Sequence, residues 1–571
     1  MFSAANFLIL LVALLGLCVL LIYAWTRKFV LPGIKQKPEP LPVTQEWPGP
    51  IQKPPFGAIP RRLEIGLGLG AIALYLVVRL IGLDQFPIYF FADEAAQTVL
   101  AEELIQNNFK IEEELFPTYF YNVDKYSLSV SVYLQVLPYL IWGKSIWVTR
   151  GVSVLVTLVG VLAVGLTLKQ IFQTQYWWLG ILILSVTPAW FLHSRTAFET
   201  VIATAFYAGF LYAYLLYLYR SPKYLYAAIL VGGLTFYTYN PARMVILITW
   251  GLLLFSDFRY HWQNRKVFVW GLLFVGLLTI PYLRFQYYHP FEEWDHLMLL
   301  HSYWTQDIPF YQKLLTFGRE YLRGLNIAYW YLPKVQDIPR HVMKGYGHFL
   351  WILFPFLLVG LWLAIRNWRI SAYRVLLIAL VCSPVGGAMF RNSVTRAFMI
   401  IIPVTLLTSI GMIKIMSVPR ILQERQKWIA ALLFAIFCGG NVLMLSDALK
   451  NGAYWFDDYT LYGMQYGGQQ VFSAVNDYLQ DNPDSEVVVS YKWLNGPNMV
   501  IRFFIENTEM VFWGILSDIE KQNIPLDDDI IFVLTADEWE NLPKHYSSKY
   551  EVFQTIPFPD NSAGFYFVKR K

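Results

Sequence analysis

Two adjacent carboxylates, Asp93 and Glu94, stand in the stretch FFADEAAQTVLAEELIQ at residues 90–106. After them come an acid and a cation side by side, Asp124 and Lys125, then Arg150, then His193, Arg195 and Glu199, and later Arg243, Arg391 and Arg396. Phosphate is the anion these cations match best, arginine through paired N–H contacts and lysine as a point charge. A carboxylate nearby can take a proton from a hydroxyl or hold a metal ion. Together the types suit group transfer, with cations holding an anionic leaving group and a carboxylate deprotonating the acceptor. Each residue also has a plainer reading. Asp93 can cap the helix that follows it, and Arg195 with Glu199 at i,i+4 can pair on one helix. His193 can be a satisfied interface histidine. Glu102, Glu103 and Glu112 to Glu114 suit a solvated face, and a single arginine can simply reach lipid headgroups.

The elements that must position these groups are hydrophobic. Ala96, Leu100 and Leu104 recur every four residues, so the carboxylates open a helix. Of the 571 residues, 56% are hydrophobic and only 15% charged, where a soluble chain carries about a quarter charged. Mean hydropathy is +0.42. An aromatic share of 18%, with 21 Trp, fits repeated crossings of a membrane–water interface. Apolar runs long enough to span a bilayer, roughly 17–25 residues, begin at 4–25 and 63–83. Further runs lie at 150–168, 177–193, 197–219, 224–240, 244–257, 267–283, 347–365, 375–390, 397–416 and 428–446, giving about twelve spans. An α-helical polytopic membrane protein is therefore expected.

Charge placement orients the spans. Loop 26–62 holds Arg27, Lys28, Lys35, Lys37, Lys53, Arg61 and Arg62 against Glu39 and Glu46. The later loops with Arg220 and Lys223, with Arg259, Arg265 and Lys266, with Arg366, Arg369 and Arg374, and with Arg420, Arg425 and Lys427 fall on the same side. That side reads as cytoplasmic. Residues 1–26 lack a basic leader and read as an N-out anchor, and 27–62 as a Pro-rich cytoplasmic linker. The core is then 63–446, with an outer loop at 84–149 and a second at 284–346. Residues 126–143 are apolar yet must not cross, so they are expected to lie in the outer interface. After 446, segments such as EVVVS (486–490), IIFVLT (530–535) and GFYFVK (564–569) read as strands, and 467–481 as a helix. Residues 447–571 are thus expected to form an extracytoplasmic α/β domain. On this topology all the candidate site residues sit at outer ends of spans or in outer loops, where arginine breaks the usual bias and signals function.

Other classes are disfavoured. No basic stripe suits nucleic acid. Cys18, Cys382 and Cys438 lie in apolar runs and suit packing, and no Cys/His cluster has zinc spacing.

The order of YNVDKYSLSVSVYL (121–134), GKSIWVTRGVSVL (143–155), TPAWFLHSRTAFET (187–200) and YTYNPARMVI (237–246) after Asp93-Glu94 resembles the polyprenyl-phosphate-sugar-dependent membrane glycosyltransferases. The group in question holds the protein mannosyltransferases and aminoarabinose transferases, of C-type glycosyltransferase fold. The likeness spans 63–446 and is densest between 85 and 245. It implies that Asp93 is the base, with Glu94 beside it. It implies that Asp124-Lys125 lies near the donor phosphate or a metal, that Arg150 opens the next span, and that Ser194-Arg195 precedes an acid at Glu199. Lys125, Arg195, Arg243 and Arg396 are then the donor-phosphate candidates, with Asp124, Arg150, His193 and Glu199 in support. No cofactor is certain. A divalent metal, if any, would fall to Asp93 and Asp124. The implied partners are a polyprenyl-phosphate-linked sugar, a protein, lipid or glycan acceptor hydroxyl and the bilayer, with the site on the outer face of the plasma membrane. Inversion by one in-line displacement would follow.

Two departures matter. The Pro expected after Lys125 is Tyr126, and no His-Pro-Pro-x-Gly-Lys stretch is present. YWFDDYTLYG (454–463) differs from the Trp-Trp-Asp-Tyr-Gly signature of oligosaccharyltransferases, which argues against bulk oligosaccharide transfer. A transporter or flippase for a lipid-linked anion, the first rival, would be expected to show repeats and midplane breaks. A scaffold for envelope assembly, the second, would not need Asp93 together with Lys125 and the outer arginines.

Overall fold

A computed structural model describes residues 59–111, 113–333, 337–417, 425–525 and 529–571. The expected anchor at 1–26 and linker residues 27–58 lie outside them, as do Glu112 and Arg420.

Among the described residues, seven helices are long and apolar enough to cross a membrane: Arg61–Leu80, Ile146–Ile171, Glu199–Tyr219, Arg265–Tyr288, Ser371–Ala388, Phe398–Met416 and Gln426–Tyr454. Helices Tyr224–Thr238, Asn240–Ser256 and Trp351–Arg366 fill three more expected spans but are shorter. The expected span at 177–193 is broken into Trp177–Ser185 and Pro188–His193. Pro188 explains the break, since it lacks an N–H and disfavours the α conformation at Thr187. This is a helical membrane protein, with fewer full-length crossings among the described residues than the apolar runs suggested.

Four elements frame the site. Helix α1 is Arg61–Leu80 and α2 is Ala92–Gln106. A hairpin, β1 (Phe120–Asn122) paired antiparallel with β2 (Lys125–Ser127), turns at Val123-Asp124. Helix α3 (Val130–Trp142) buries Ser131, Val132 and Gln135 and exposes Leu137, Leu140, Ile141 and Trp142. That one-sided pattern is what an interfacial helix requires.

Burial separates centre from rim. Helix α4 (Glu199–Tyr219) has 94% of its apolar window buried, whereas α5 (Arg265–Tyr288) has 6%, so α4 is the core and α5 faces lipid. Close helix approach depends on glycine: a Cβ at Gly360 or Gly411 would collide with the backbone carbonyls of Leu407 and Phe356. Small residues let membrane helices meet in this way.

The last membrane helix reaches Asn451, past the expected boundary. Beyond it, a five-stranded mixed sheet forms from β3 (Val487–Val489), β4 (Val511–Trp513), β5 (Ile531–Thr535), β6 (Tyr550–Pro557) and β7 (Ala563–Arg570). Its spatial order is β4-β3-β5-β7-β6, with β3 parallel to β4 and β5. Strands β4 and β6 carried no signal in the sequence reading. The domain is clamped to α2 through Arg502 Nη2 to Glu103 (2.7 Å). Lys144 joins the clamp, donating to Glu102 (2.8 Å) and to the Arg502 carbonyl (2.7 Å). Glu103 is therefore a docking group.

Candidate active site

The first turn of α2 separates the two adjacent carboxylates. Phe91, in extended conformation, is the N-cap and offers no side-chain cap. Asp93 therefore sits inside the first turn, where the helix dipole favours negative charge, and does not serve as the cap. Glu94 points inward and is fully buried. It accepts from Arg150 Nε (2.8 Å) and Nη2 (2.9 Å) and from the backbone N–H of Ala197 (2.9 Å). Arg150 also donates to the carbonyls of Leu83 and Pro87, both at 3.0 Å, and to that of Tyr89. Glu94 is thus held as a structural anchor, with Arg150 as its counter-ion.

Asp93 points the other way. Its Oδ1 accepts from Asn122 Nδ2 at 3.2 Å, which ties α2 to the β1–β2 hairpin. Lys125 stands opposite Asn122 in that hairpin, and its ammonium makes no hydrogen bond or ion pair among the described residues. Glu199, the first residue of α4, accepts from the Leu128 N–H (3.3 Å), and the charges that act on it are those of Asp93 and Lys125. Asp124 is exposed at the turn. Asp93, Glu199 and Lys125 therefore form one group, and Asp124 stays outside it.

Arg195 departs from its expected role. It is buried and donates to the carbonyls of Phe86 (3.2 Å), Val78 (2.8 Å), Arg79 (3.1 Å), Ile81 (2.9 Å) and Gly82 (2.7 Å). It satisfies the orphan carbonyls at the end of α1, and it makes no pair with Glu199. No donor is left to hold a phosphate. His193 is likewise internal: Nδ1 lies 2.8 Å from the Ala189 carbonyl and the ring stacks on His341.

The remaining cations converge elsewhere. Helix α6 (Glu292–Leu299) carries His296, whose Nδ1 lies 2.9 Å from Asn240 Nδ2. Burial, then Lys125, Arg243 and Arg396, push the His296 pKa from 6.5 down to about 4. The charges of three of the four expected phosphate cations thus reach one imidazole. Arg243 is paired with Glu293 and lies 4.5 Å from the Tyr119 ring centroid. Arg396 donates to the Arg391 carbonyl (2.8 Å) and lies over Phe390. Two further residues carried no sequence signal. Arg340 donates to the Leu461 carbonyl (2.8 Å), stacks over Phe91, and feels the charge of Asp93. Asn122 is the direct partner of Asp93.

Among the described residues no group of three or more His, Cys, Asp or Glu is placed to hold a metal ion. Of the two carboxylates expected to hold a metal, Asp124 is exposed at the hairpin turn and Asp93 is turned toward Asn122.

The model of the family described as dolichyl-phosphate-mannose-protein mannosyltransferase matches residues 129–285. Comparison with curated proteins gives no match. Among solved structures, ArnT from Cupriavidus metallidurans in the apo state aligns with a TM-score of 0.59 at 12% identity, over 88% of this chain and 98% of that one. The same protein bound to undecaprenyl phosphate gives 0.57 at 12% identity, with the same coverage. The oligosaccharyltransferase of Archaeoglobus fulgidus, in its apo form, gives 0.52 at 13% identity, over 88% of this chain and 74% of that one. The fold is that of the C-type membrane glycosyltransferases. Within this C-type fold the family match includes Arg150, Arg195, Glu199 and Arg243, while Asp93, Lys125 and Arg396 lie outside it.

Proposed function

We propose that this chain is a membrane glycosyltransferase that moves a sugar from a polyprenyl-phosphate donor to an acceptor hydroxyl, with inversion. The observation that carries the reading is that the charges of Lys125, Arg243 and Arg396 all act on His296, while those of Asp93 and Lys125 act on Glu199. Such a set of cations suits a leaving phosphate, whose charge grows as the sugar departs. ArnT from Cupriavidus metallidurans, which shares the fold, is described as bound to undecaprenyl phosphate.

The acceptor O–H gives its proton to the Asp93 carboxylate. Its oxygen attacks the anomeric carbon on the face opposite the phosphate. The anomeric C–O bond breaks with its electron pair on the phosphate oxygen, and Lys125, Arg243 and Arg396 take up that charge. Asn122 holds Asp93 toward the hairpin. A divalent ion, if bound at Asp93, would add positive charge beside the leaving group. The site and the domain after 446 face outward from the plasma membrane, and the acceptor is a protein, lipid or glycan hydroxyl.

The test is mass spectrometry of lipid-linked sugars and surface glycans in cells with and without the chain. A polyprenyl-phosphate sugar that accumulates, with one glycan losing that sugar, is the expected result. Unchanged profiles of both would overturn the proposal.

A further inference from the structure

A cleft of about 630 Å³ opens between the helix Phe310–Gly324 (α7) and the segment before Ile401. Its lining includes Arg319, Arg323, Arg391 and Arg396, with Glu320 as the one carboxylate. Glu320 is already committed: it lies 3.6 Å from Arg319 and 3.9 Å from Arg323, and it accepts from the Asn392 N–H at 2.9 Å. Arg391 and Arg396 make no ion pair among the described residues. Four guanidinium groups around one carboxylate leave a strong positive excess, which a phosphate would neutralise best.

The helix that carries two of these arginines is two-sided. Thr316, Arg319, Glu320 and Arg323, spaced i, i+3, i+4 and i+7, line the cleft. Phe310, Tyr311, Leu314, Leu315 and Leu322 are exposed on the same helix. In a membrane protein such an apolar stripe lies in the lipid interface. A ligand with a phosphate in the cleft can therefore lay an alkyl chain along lipid-facing surface. Arg396 lines the cleft and also acts on His296, so the two anion sites adjoin.

We infer that this cleft is a second anion site, which takes the phosphate of a long-chain alkyl phosphate and stands beside the donor cluster at Lys125. Its role as a holding place next to the transfer site rests on the proposed function; its binding does not.

The experiment is native mass spectrometry of the full chain in detergent with dodecyl phosphate, and with inorganic phosphate in a parallel arm. The wild type should hold two dodecyl phosphates. Arg319→Gln/Arg323→Gln should hold one, with affinity at the lost site down at least tenfold, about 1.4 kcal/mol. Lys125→Ala should also hold one, by loss of the other site. The Arg319 side chain is 76% exposed, so single Arg319→Gln should fold as the wild type does and weaken the same site. Retention of two ligands by both arginine variants would overturn the inference. Equal occupancy of the cleft by inorganic phosphate would overturn its preference for an amphiphile. A wild type that transfers no sugar yet binds twice would sink the proposed function alone.

Discussion

Arg150 grips Glu94 with two contacts, Nε to Oε2 at 2.8 Å and Nη2 to Oε1 at 2.9 Å, beneath the first turn of α2. Both side chains are buried, and removing one partner of such a pair strands the other charge. Glu94→Gln should therefore cost about 3–5 kcal/mol of stability. Thermal unfolding in detergent should show the drop, with activity falling in parallel. An unchanged midpoint with lost turnover would return Glu94 to the chemistry.

Arg195 and Lys125 should behave in opposite ways. Arg195→Gln leaves several buried carbonyls without donors, at about 1–3 kcal/mol each, so the variant should express poorly or unfold early. Lys125→Ala removes an ammonium that makes no hydrogen bond or ion pair among the described residues. It should keep its unfolding midpoint and lose turnover by about two orders of magnitude, the scale of a lost oxyanion-type contact. Side-by-side unfolding and transfer assays on the two variants check this.

His296 gives a pH prediction. Burial and the surrounding cations hold its pKa at about 4, against 6.5 ordinarily. The unfolded chain takes up this proton near pH 6.5 and the folded protein only near 4, so stability falls as pH drops through that window. His296→Gln should flatten the fall. An alkyl phosphate should flatten it in part, because it offsets the charges of Lys125, Arg243 and Arg396 while burial, the larger cause, remains. Unfolding midpoints from pH 4 to 7, with and without dodecyl phosphate, provide the check.

Much of this was legible in the sequence and some was not, for physical reasons. The periodicity at Ala96, Leu100 and Leu104 identifies α2, and the apolar runs locate the spans. Sidedness shows that an arginine sits at one end of a span, but not which way it turns. Arg195, which caps carbonyls inside, and Arg243, which joins the cation cluster, therefore look alike. Thr187-Pro188 could have announced the broken helix at 177–193. His296 and Arg340 lie in the loop 284–346 and come to the site only through tertiary folding, so no local pattern marks them.

Orientation is testable by labelling. With Cys18, Cys382 and Cys438 replaced, Asp481→Cys should react with an impermeant thiol reagent in intact cells and Lys223→Cys should not. Both positions are exposed, so burial does not confuse the result. The reverse pattern would invert the proposed topology.

The central claim is that Asp93 takes the acceptor's proton. Its direct measurement is transfer from a short-chain polyprenyl-phosphate sugar by purified wild type and Asp93→Asn, with unfolding followed in the same samples. Asn is nearly isosteric and keeps an oxygen for Asn122, so the midpoint should hold. Turnover should fall by at least about a hundredfold, the contribution of a positioned base, and binding of dodecyl phosphate should be unchanged. Turnover within a few-fold of wild type in a folded Asp93→Asn protein would contradict the account.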